Sequence, residues 1–436
     1  MKSEHKELDI LLVAVPSPNP MIYYTFDKQG MPPLGLGYLA TVLKRENYSV
    51  KVVDMAVPQV TVDFLLQQLK SSKPKLVGLS CTTETYLVAI RLSYIIKSLF
   101  GDCIVIIGGP HVSFEYESAL SNKSIDYVVI NEGENSLKNL CGYCIRGIGN
   151  KKELKGIAFR ENGDIVCTEP ESFILNLDLL PIPDRSIFEN LSIYPIPTTI
   201  LSSRGCPGKC IFCAAGALSG GRYRFRSAES ILEEVEYLKS LGFDRVSFID
   251  DTMTANLSRL NQFLDNLTER GIKISWYCES RVDNISRDVL HKMKAAGLTN
   301  IQFGVESGSQ GVLDSIKKNI SLQQIHDAFR WCKELGILAS TNMIIGQPAD
   351  DESTIQDTLR VASEIASLGG AISFSICTPF PGTPIWQNPK EYGLEIVNHD
   401  LDRYNLFCPV FNTKKLTATE IRNAYFRAVT SFVKSV

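Results

Sequence analysis

Short apolar runs alternating with amphipathic stretches, in two successive series, constrain this chain more than anything else in it. In residues 1–150 the runs are Ile10–Val15, Val50–Asp54, Leu76–Ser80, Ile104–Ile107 and Tyr127–Ile130. Each is bounded by turn residues, and intervening segments such as Gly35–Glu46 and Tyr86–Leu99 are long enough for helices. Strands separated by helix-length segments pair in parallel, so the pattern predicts an α/β fold with a doubly wound parallel sheet. From Thr198 a second series runs Thr198–Leu201, Arg245–Ile249, Ile274–Cys278, Asn300–Val305, Thr341–Ile345 and Ile372–Cys377. Helices are expected to begin near Ser227, Ser258, Ser286, Ser321 and Asp351 and to stop at Gly242, Gly271, Gly297, Gly336 and Gly369. Six such repeats over 198–390 fit an open, partial (β/α)6 barrel, and residues 380–436 are too short for two more. Between the two series, residues 151–197 read as a connector. Asn162-Gly163 predicts a hairpin, and Pro181, Pro183, Pro195 and Pro197 discourage long helices. Residues 391–436 read as a C-terminal helical segment, in which Thr417–Val436 is one helix with Ala418, Ile421, Ala424, Tyr425 and Ala428 on its packed face.

A chain of 436 residues carries two or three domains with proper cores. Its 45 basic and 48 acidic residues leave a net charge of −3, with no long basic run, which argues against a large nucleic-acid footprint. Met1–Asp9 is charged and lacks an apolar signal core, and no apolar stretch has spanning length, so no membrane is expected and the location expected is the cytoplasm. Most of the 12 cysteines, including Cys141 and Cys144 in an expected helix, read as structural thiols.

Three cysteines stand apart. Arg204-Gly-Cys-Pro-Gly-Lys-Cys-Ile-Phe-Cys213 puts Cys206, Cys210 and Cys213 at C-x3-C-x2-C spacing, with no local Cys or His to complete a tetrahedral zinc set. Three thiolates can hold one corner of an iron–sulfur cube and leave a fourth iron open. The stretch resembles the signature of the radical S-adenosylmethionine (radical SAM) enzymes. That resemblance implies a 4Fe-4S cluster that binds S-adenosylmethionine and cleaves it to a 5′-deoxyadenosyl radical, with Phe212 packed near the adenine. The sequence expectation is that the carboxyl ends of the other barrel strands carry the cofactor contacts. Asp250 or Asp251 would accept from the ammonium, Arg281 would take the carboxylate and Glu306 the ribose hydroxyls. Ile249-Asp250-Asp251-Thr252 replaces the Gly-Gly-Glu triplet common in the family.

In the first series the strand ends read Pro16–Pro20, Ser80-Cys-Thr-Thr83, Gly108-Gly-Pro-His111 and Asn131-Glu-Gly-Glu134. Ligands of open α/β sheets lie beyond such ends. No G-x-G-x-x-G follows the first strand, which argues against a dinucleotide. The pattern Pro32-Pro-Leu-Gly-Leu-Gly-Tyr-Leu-Ala40, Ile106-Ile-Gly-Gly-Pro-His111 and Gly133-Glu134 is similar to the Rossmann-like cobalamin-binding domain that precedes many radical SAM cores. The resemblance implies cobalamin contacts at Ser80, Thr82, Gly108, Gly109, Glu132 and Gly133. The D-x-H-x-x-G motif of histidine-ligated cobalamin is absent, so the corrin is expected base-off with no protein histidine beneath cobalt. Phe380-Pro-Gly-Thr-Pro384 resembles the closing segment of cobalamin-dependent members.

Together these features resemble the cobalamin-dependent radical SAM methyltransferases. The implied reaction is methylation of an unactivated carbon of a small metabolite or natural-product peptide, driven by an external one-electron reductant such as flavodoxin or ferredoxin. Related enzymes that close or contract rings, or oxidise, share the same sequence features. A methylthiotransferase would need three further N-terminal cysteines, and Cys81, Cys103, Cys141 and Cys144 do not form such a set. A cobalamin or redox sensor signalling through the C-terminal helix is the non-enzymatic alternative.

Overall fold

The computed structural model describes residues 8–18, 30–57, 59–188 and 190–433. The chain divides into two compact units, residues 1–175 with 179–197, and residues 176–178 with 198–436.

The first unit is built on a seven-stranded sheet. Its elements are β1 (Ile10–Ala14), α1 (Leu34–Arg45), β2 (Val50–Asp54), α2 (Val62–Ser72), β3 (Leu76–Ser80), α3 (Tyr86–Leu99), β4 (Ile104–Gly108), α4 (Tyr116–Leu120), β5 (Tyr127–Val129), α5 (Gly133–Arg146), β6 (Ile157–Glu161) and β7 (Asp164–Cys167). The strand order is β2-β1-β3-β4-β5-β6-β7; the first five run parallel and the last two antiparallel. Order reverses at β1, and in such sheets the reversal opens a crevice beyond the strand ends. Ile10, Leu11, Leu12, Val77, Val105 and Ile107 are fully buried, as strands covered on both faces require. The hairpin expected in the connector joins this sheet as its edge, so most of 151–197 is part of the first unit. Asn162 (φ +52°) and Gly163 (φ +97°) are both left-handed, as a tight two-residue turn demands. Of the expected Pro16–Pro20 loop, residues 19 and 20 lie outside the described residues.

The second unit contains β8 (Thr199–Ile200), β9 (Ser203–Arg204), α6 (Ala215–Leu218), β10 (Arg224–Phe225), α7 (Ala228–Ser240), β11 (Arg245–Phe248), α8 (Leu257–Glu269), β12 (Ser275–Ser280), α9 (Arg287–Ala295), β13 (Leu298–Glu306), α10 (Gln310–Ser315), α11 (Leu322–Leu335), β14 (Leu338–Ile345), α12 (Glu352–Ser367), β15 (Ala371–Ile376), α13 (Pro384–Gln387), β16 (Glu395–Ile396), β17 (Phe411–Asn412) and α14 (Ala418–Val433). Six parallel strands run in the order β8-β11-β12-β13-β14-β15, and β8 and β15 do not pair with each other. The sheet is therefore the open six-strand version of a barrel. Ser227, Ser286, Ser321 and Asp351 each cap the helix that follows them by accepting a backbone N–H, and Ser321 completes a capping box with Gln324. Asn256 caps α8, where Ser258 was the expected start. Gly336, at φ +63°, ends α11 in the left-handed conformation that a side chain resists. Phe248, Phe263 and Trp276 meet edge to face at 5.5–6.2 Å and anchor the core behind β11 and β12. Helix α14 lays Ile421, Ala424 and Ala428 inward, with Phe432 against Phe374 of β15 at 5.4 Å. Ahead of it, β16 and β17 form a small ribbon, so residues 391–436 are not wholly helical.

Candidate active site

The cysteine loop leaves the carboxyl end of β8. Gly205 (φ +86°) opens it, and a Cβ there would lie 2.3 Å from the Arg222 carbonyl, so only glycine fits. Ile211 pins the middle of the loop: it is buried, donates to the Ile316 carbonyl at 3.1 Å and accepts from Ile385 N at 3.3 Å. Cys206 Sγ receives the Gly208 N–H at 3.4 Å and lies 3.3 Å from Thr252 Oγ1. A Cβ on Gly208 would stand 3.3 Å from Cys206 Sγ, 3.4 Å from Arg281 Nη1 and 3.9 Å from Cys210 Sγ, so glycine keeps the space between these groups clear. Burial raises the Cys210 thiol against the counteracting charges of Lys318 and Arg281. Cys213 opens to solvent, yet the protein packed around it pushes its thiol up to about 12. Metal binding has to displace these protons. Among the described residues, no three His, Cys, Asp or Glu side chains converge on a single ion. Cys206 and Cys210 border this cleared space and Cys213 lies near enough to both for their charges to raise its thiol, a set of three thiols on one loop that suits one corner of an iron–sulfur cube.

Around this loop stand the ends of the neighbouring strands. Asp250 is fully buried and accepts from Ser202 Oγ (3.0 Å) and Ser203 Oγ, beside Arg259, which donates to the Ser202 and Met253 carbonyls. Desolvation raises its carboxyl. Asp251 is exposed and near enough to Cys213 to raise that thiol. Arg281 is buried, forks onto Asp283 through two 2.9 Å bonds and donates to the Lys318 carbonyl at 2.6 Å. Glu306 takes a left-handed φ of +70° and binds Lys318 Nζ at 2.8 Å, both side chains at most a tenth exposed. Room for that pair exists because residue 304 is glycine: its Cβ would lie 2.6 Å from Lys318 Nζ and 2.7 Å from Glu306 Oε1. Lys318 was not among the sequence candidates. Its one local signal is a lysine set between Ile316 and Ile320, both buried. Phe212 is partly buried against the barrel core.

In the first unit, the loops after β3, β4 and β5 are tied to one another. Cys81 N donates to the Gly108 carbonyl, and Gly109 (φ +110°) approaches so closely that a Cβ would lie 2.4 Å from Cys81 O. Ser113 Oγ donates to Gly109 O and accepts from Asn131 N. Ser80 ends β3 half-buried; Thr82 is exposed, its N–H held by Thr85 Oγ1 at 2.9 Å. Gly133 starts α5 where a Cβ would press Leu39 at 3.1 Å, so it serves helix packing. Glu132 accepts from Ile174 N at 2.9 Å, which commits one carboxylate oxygen to the connector.

The geometry sets a three-cysteine loop at the carboxyl end of an open parallel barrel, and an open α/β unit with glycine turns at its strand ends precedes it in the chain. Comparison with known proteins carries this further. Residues 200–362 match the radical SAM superfamily model, and residues 27–141 match the B12 binding domain model. The chain is 32% identical over 409 residues to an uncharacterized methyltransferase of Pyrococcus horikoshii, covering 92% of this chain and 87% of that one. It is 26% identical over 404 residues to the anaerobic magnesium-protoporphyrin IX monomethyl ester cyclase of Cereibacter sphaeroides, covering 89% of this chain and 65% of that protein. Its fold matches the cobalamin-dependent S-adenosylmethionine radical enzyme OxsB, solved with aqua-cobalamin bound, at a TM-score of 0.79 and 19% identity, over 99% of this chain and 67% of that one. The chain belongs to the cobalamin-dependent radical SAM methyltransferase family.

Proposed function

We propose that this protein methylates an unactivated carbon of a small metabolite or natural-product peptide, with a 4Fe-4S cluster on Cys206, Cys210 and Cys213 and a base-off cobalamin beyond the carboxyl ends of β3–β5. When bound, these groups supply one-electron cleavage of S-adenosylmethionine and methyl transfer. The residues hold and orient. Asp251, exposed beside Cys213, suits the ammonium; Asp250, sealed inside, braces Ser202 and Ser203 beneath the loop. Lys318 joins Arg281 as a cation for the carboxylate, and Glu306 would accept from ribose hydroxyls while keeping Lys318 charged. Phe212 lines the loop on the adenine side. Ser80 and Thr82 offer hydroxyls to corrin amides, Gly108 and Gly109 allow close backbone approach, and Glu132 and Gly133 border the same strand ends. The observation that carries this reading is the cleared space bounded by the Cys206 and Cys210 thiols and Arg281, with the buried Lys318–Glu306 pair beside Cys210.

The cyclase relative supports a second reading, ring closure without net methyl transfer. Product mass separates the two. Incubation with S-adenosylmethionine, a low-potential reductant and candidate substrates is expected to add the mass of a methylene; loss of hydrogen without that gain would establish the cyclase chemistry instead.

A further inference from the structure

His111 follows the Gly108-Gly109-Pro110 turn at the end of β4 and is 2% exposed. Its Nδ1 lies 3.1 Å from Thr83 Oγ1, and its ring packs against Tyr86 with centroids 4.2 Å apart and the planes tilted by 38°. Nε2 is buried and has no hydrogen-bond partner. Nε2 is enclosed by the protein, and the Nδ1 contact to Thr83 and the packing against Tyr86 hold the ring in that orientation. Cys81 N donates to Gly108 O and joins the same two loops, while Ser113 holds Gly109 within the second and reaches Asn131 after β5. Thr83 is itself buried and sits between exposed Thr82 and the start of α3. An Nδ1–H donated to Thr83 leaves Nε2 as a bare acceptor, which costs less in the interior than an orphaned N–H. Desolvation alone holds the imidazole down at about 4, so this neutral form persists at working pH.

We propose that His111 is a positioning residue and not a cobalt ligand: through Nδ1 it fixes Thr83, and with it the loop that presents Thr82 to the corrin amides. This rests on the cobalamin reading of the first unit. It predicts that His111 and Thr83 act as one device, and that asparagine, whose amide nitrogen sits near the place of Nδ1, replaces the histidine better than glutamine, whose amide reaches toward the place of Nε2.

The test is an absorbance titration of the full-length, anaerobically reconstituted chain with hydroxocobalamin, for wild type, H111N, H111Q, H111L, T83V and H111L/T83V. One buried hydrogen bond is worth about a factor of ten in affinity. H111L, H111Q and T83V are therefore each expected to bind about tenfold more weakly, the double variant no worse than either single one, and H111N close to wild type. The cobalt(II) EPR spectrum is expected to be the same in wild type and H111L. A nitrogen splitting present in wild type and lost in H111L would make His111 a ligand and overturn the proposal. So would additive losses in the double variant, or unchanged affinity throughout. Should H111L or T83V fail to fold, as judged by thermal melting without corrin, the contrast between H111N and H111Q still decides. Absence of corrin binding in the wild type would overturn the cobalamin reading itself, a result separable from the behaviour of the variants.

Discussion

The Lys318–Glu306 pair is the most exacting internal prediction, because nothing but the fold brings these residues together. Two unit charges 2.8 Å apart attract by about 6 kcal/mol at an effective dielectric of about 20, before the cost of removing both from water. Removing one partner leaves the other charge buried and unpaired, for which about 3–5 kcal/mol is the usual loss. K318M strands the Glu306 carboxylate, and E306Q leaves Lys318 facing Arg281 and Cys210. The double variant removes both charges, so it should be less destabilised than the sum of the single ones, with a coupling of at least about 2 kcal/mol. All three tryptophans, Trp276, Trp331 and Trp386, lie in the second unit, so fluorescence in a urea titration of the metal-free chain reports that unit alone. Additive single-variant losses would refute the pairing and with it the geometry assigned to this side of the cysteine loop.

Three further outcomes follow from the site and its surroundings. D251N should weaken S-adenosylmethionine binding about tenfold in an equilibrium titration of the reconstituted protein, whereas D250N should leave that affinity within about threefold; the reverse order would transfer the ammonium contact to Asp250. Asp350 accepts from Gly346 N, Gln347 N and Thr354 Oγ1, yet burial pushes its carboxyl up to about 6. The folded state therefore holds this proton more tightly than the unfolded one. The resulting stability is full below about pH 4 and is lost as pH rises to about 6, by up to about 3 kcal/mol. D350N should abolish that slope relative to wild type, and parallel pH profiles of unfolding free energy would contradict it. G109A should impair corrin uptake and lower the melting temperature, since its methyl would drive into Cys81 O at 2.4 Å and the position has φ +110°; a wild-type melt would show that the loop relaxes freely.

The fold was legible where local chemistry and periodicity agreed. Ser227, Ser286, Ser321 and Asp351 announce their helices because a short oxygen-bearing side chain before an amphipathic run does one thing best, and the cysteine spacing is local by nature. What escaped is non-local. Lys318 meets Glu306 by way of a turn whose residues Lys317 (φ +56°) and Asn319 (φ +53°) are left-handed, and no periodicity signals such a turn. Asp250 and Asp251 are adjacent and chemically identical, so only the direction in which each leaves the end of β11 separates the buried side chain from the exposed one. Residues 157–167 read as a hairpin between domains because their pairing partner, β5, lies about thirty residues upstream, and edge pairing has no sequence signature of its own.

The central claim is that this one chain holds both an iron–sulfur cluster and a corrin. Anaerobic reconstitution with iron, sulfide and hydroxocobalamin, followed by desalting, metal and corrin counts and an absorbance spectrum, tests it directly. About four irons and one base-off corrin per chain are predicted, with the iron lost when Cys206, Cys210 and Cys213 are replaced by alanine and the corrin retained. Iron without corrin would contradict the account and leave the first unit in need of another ligand.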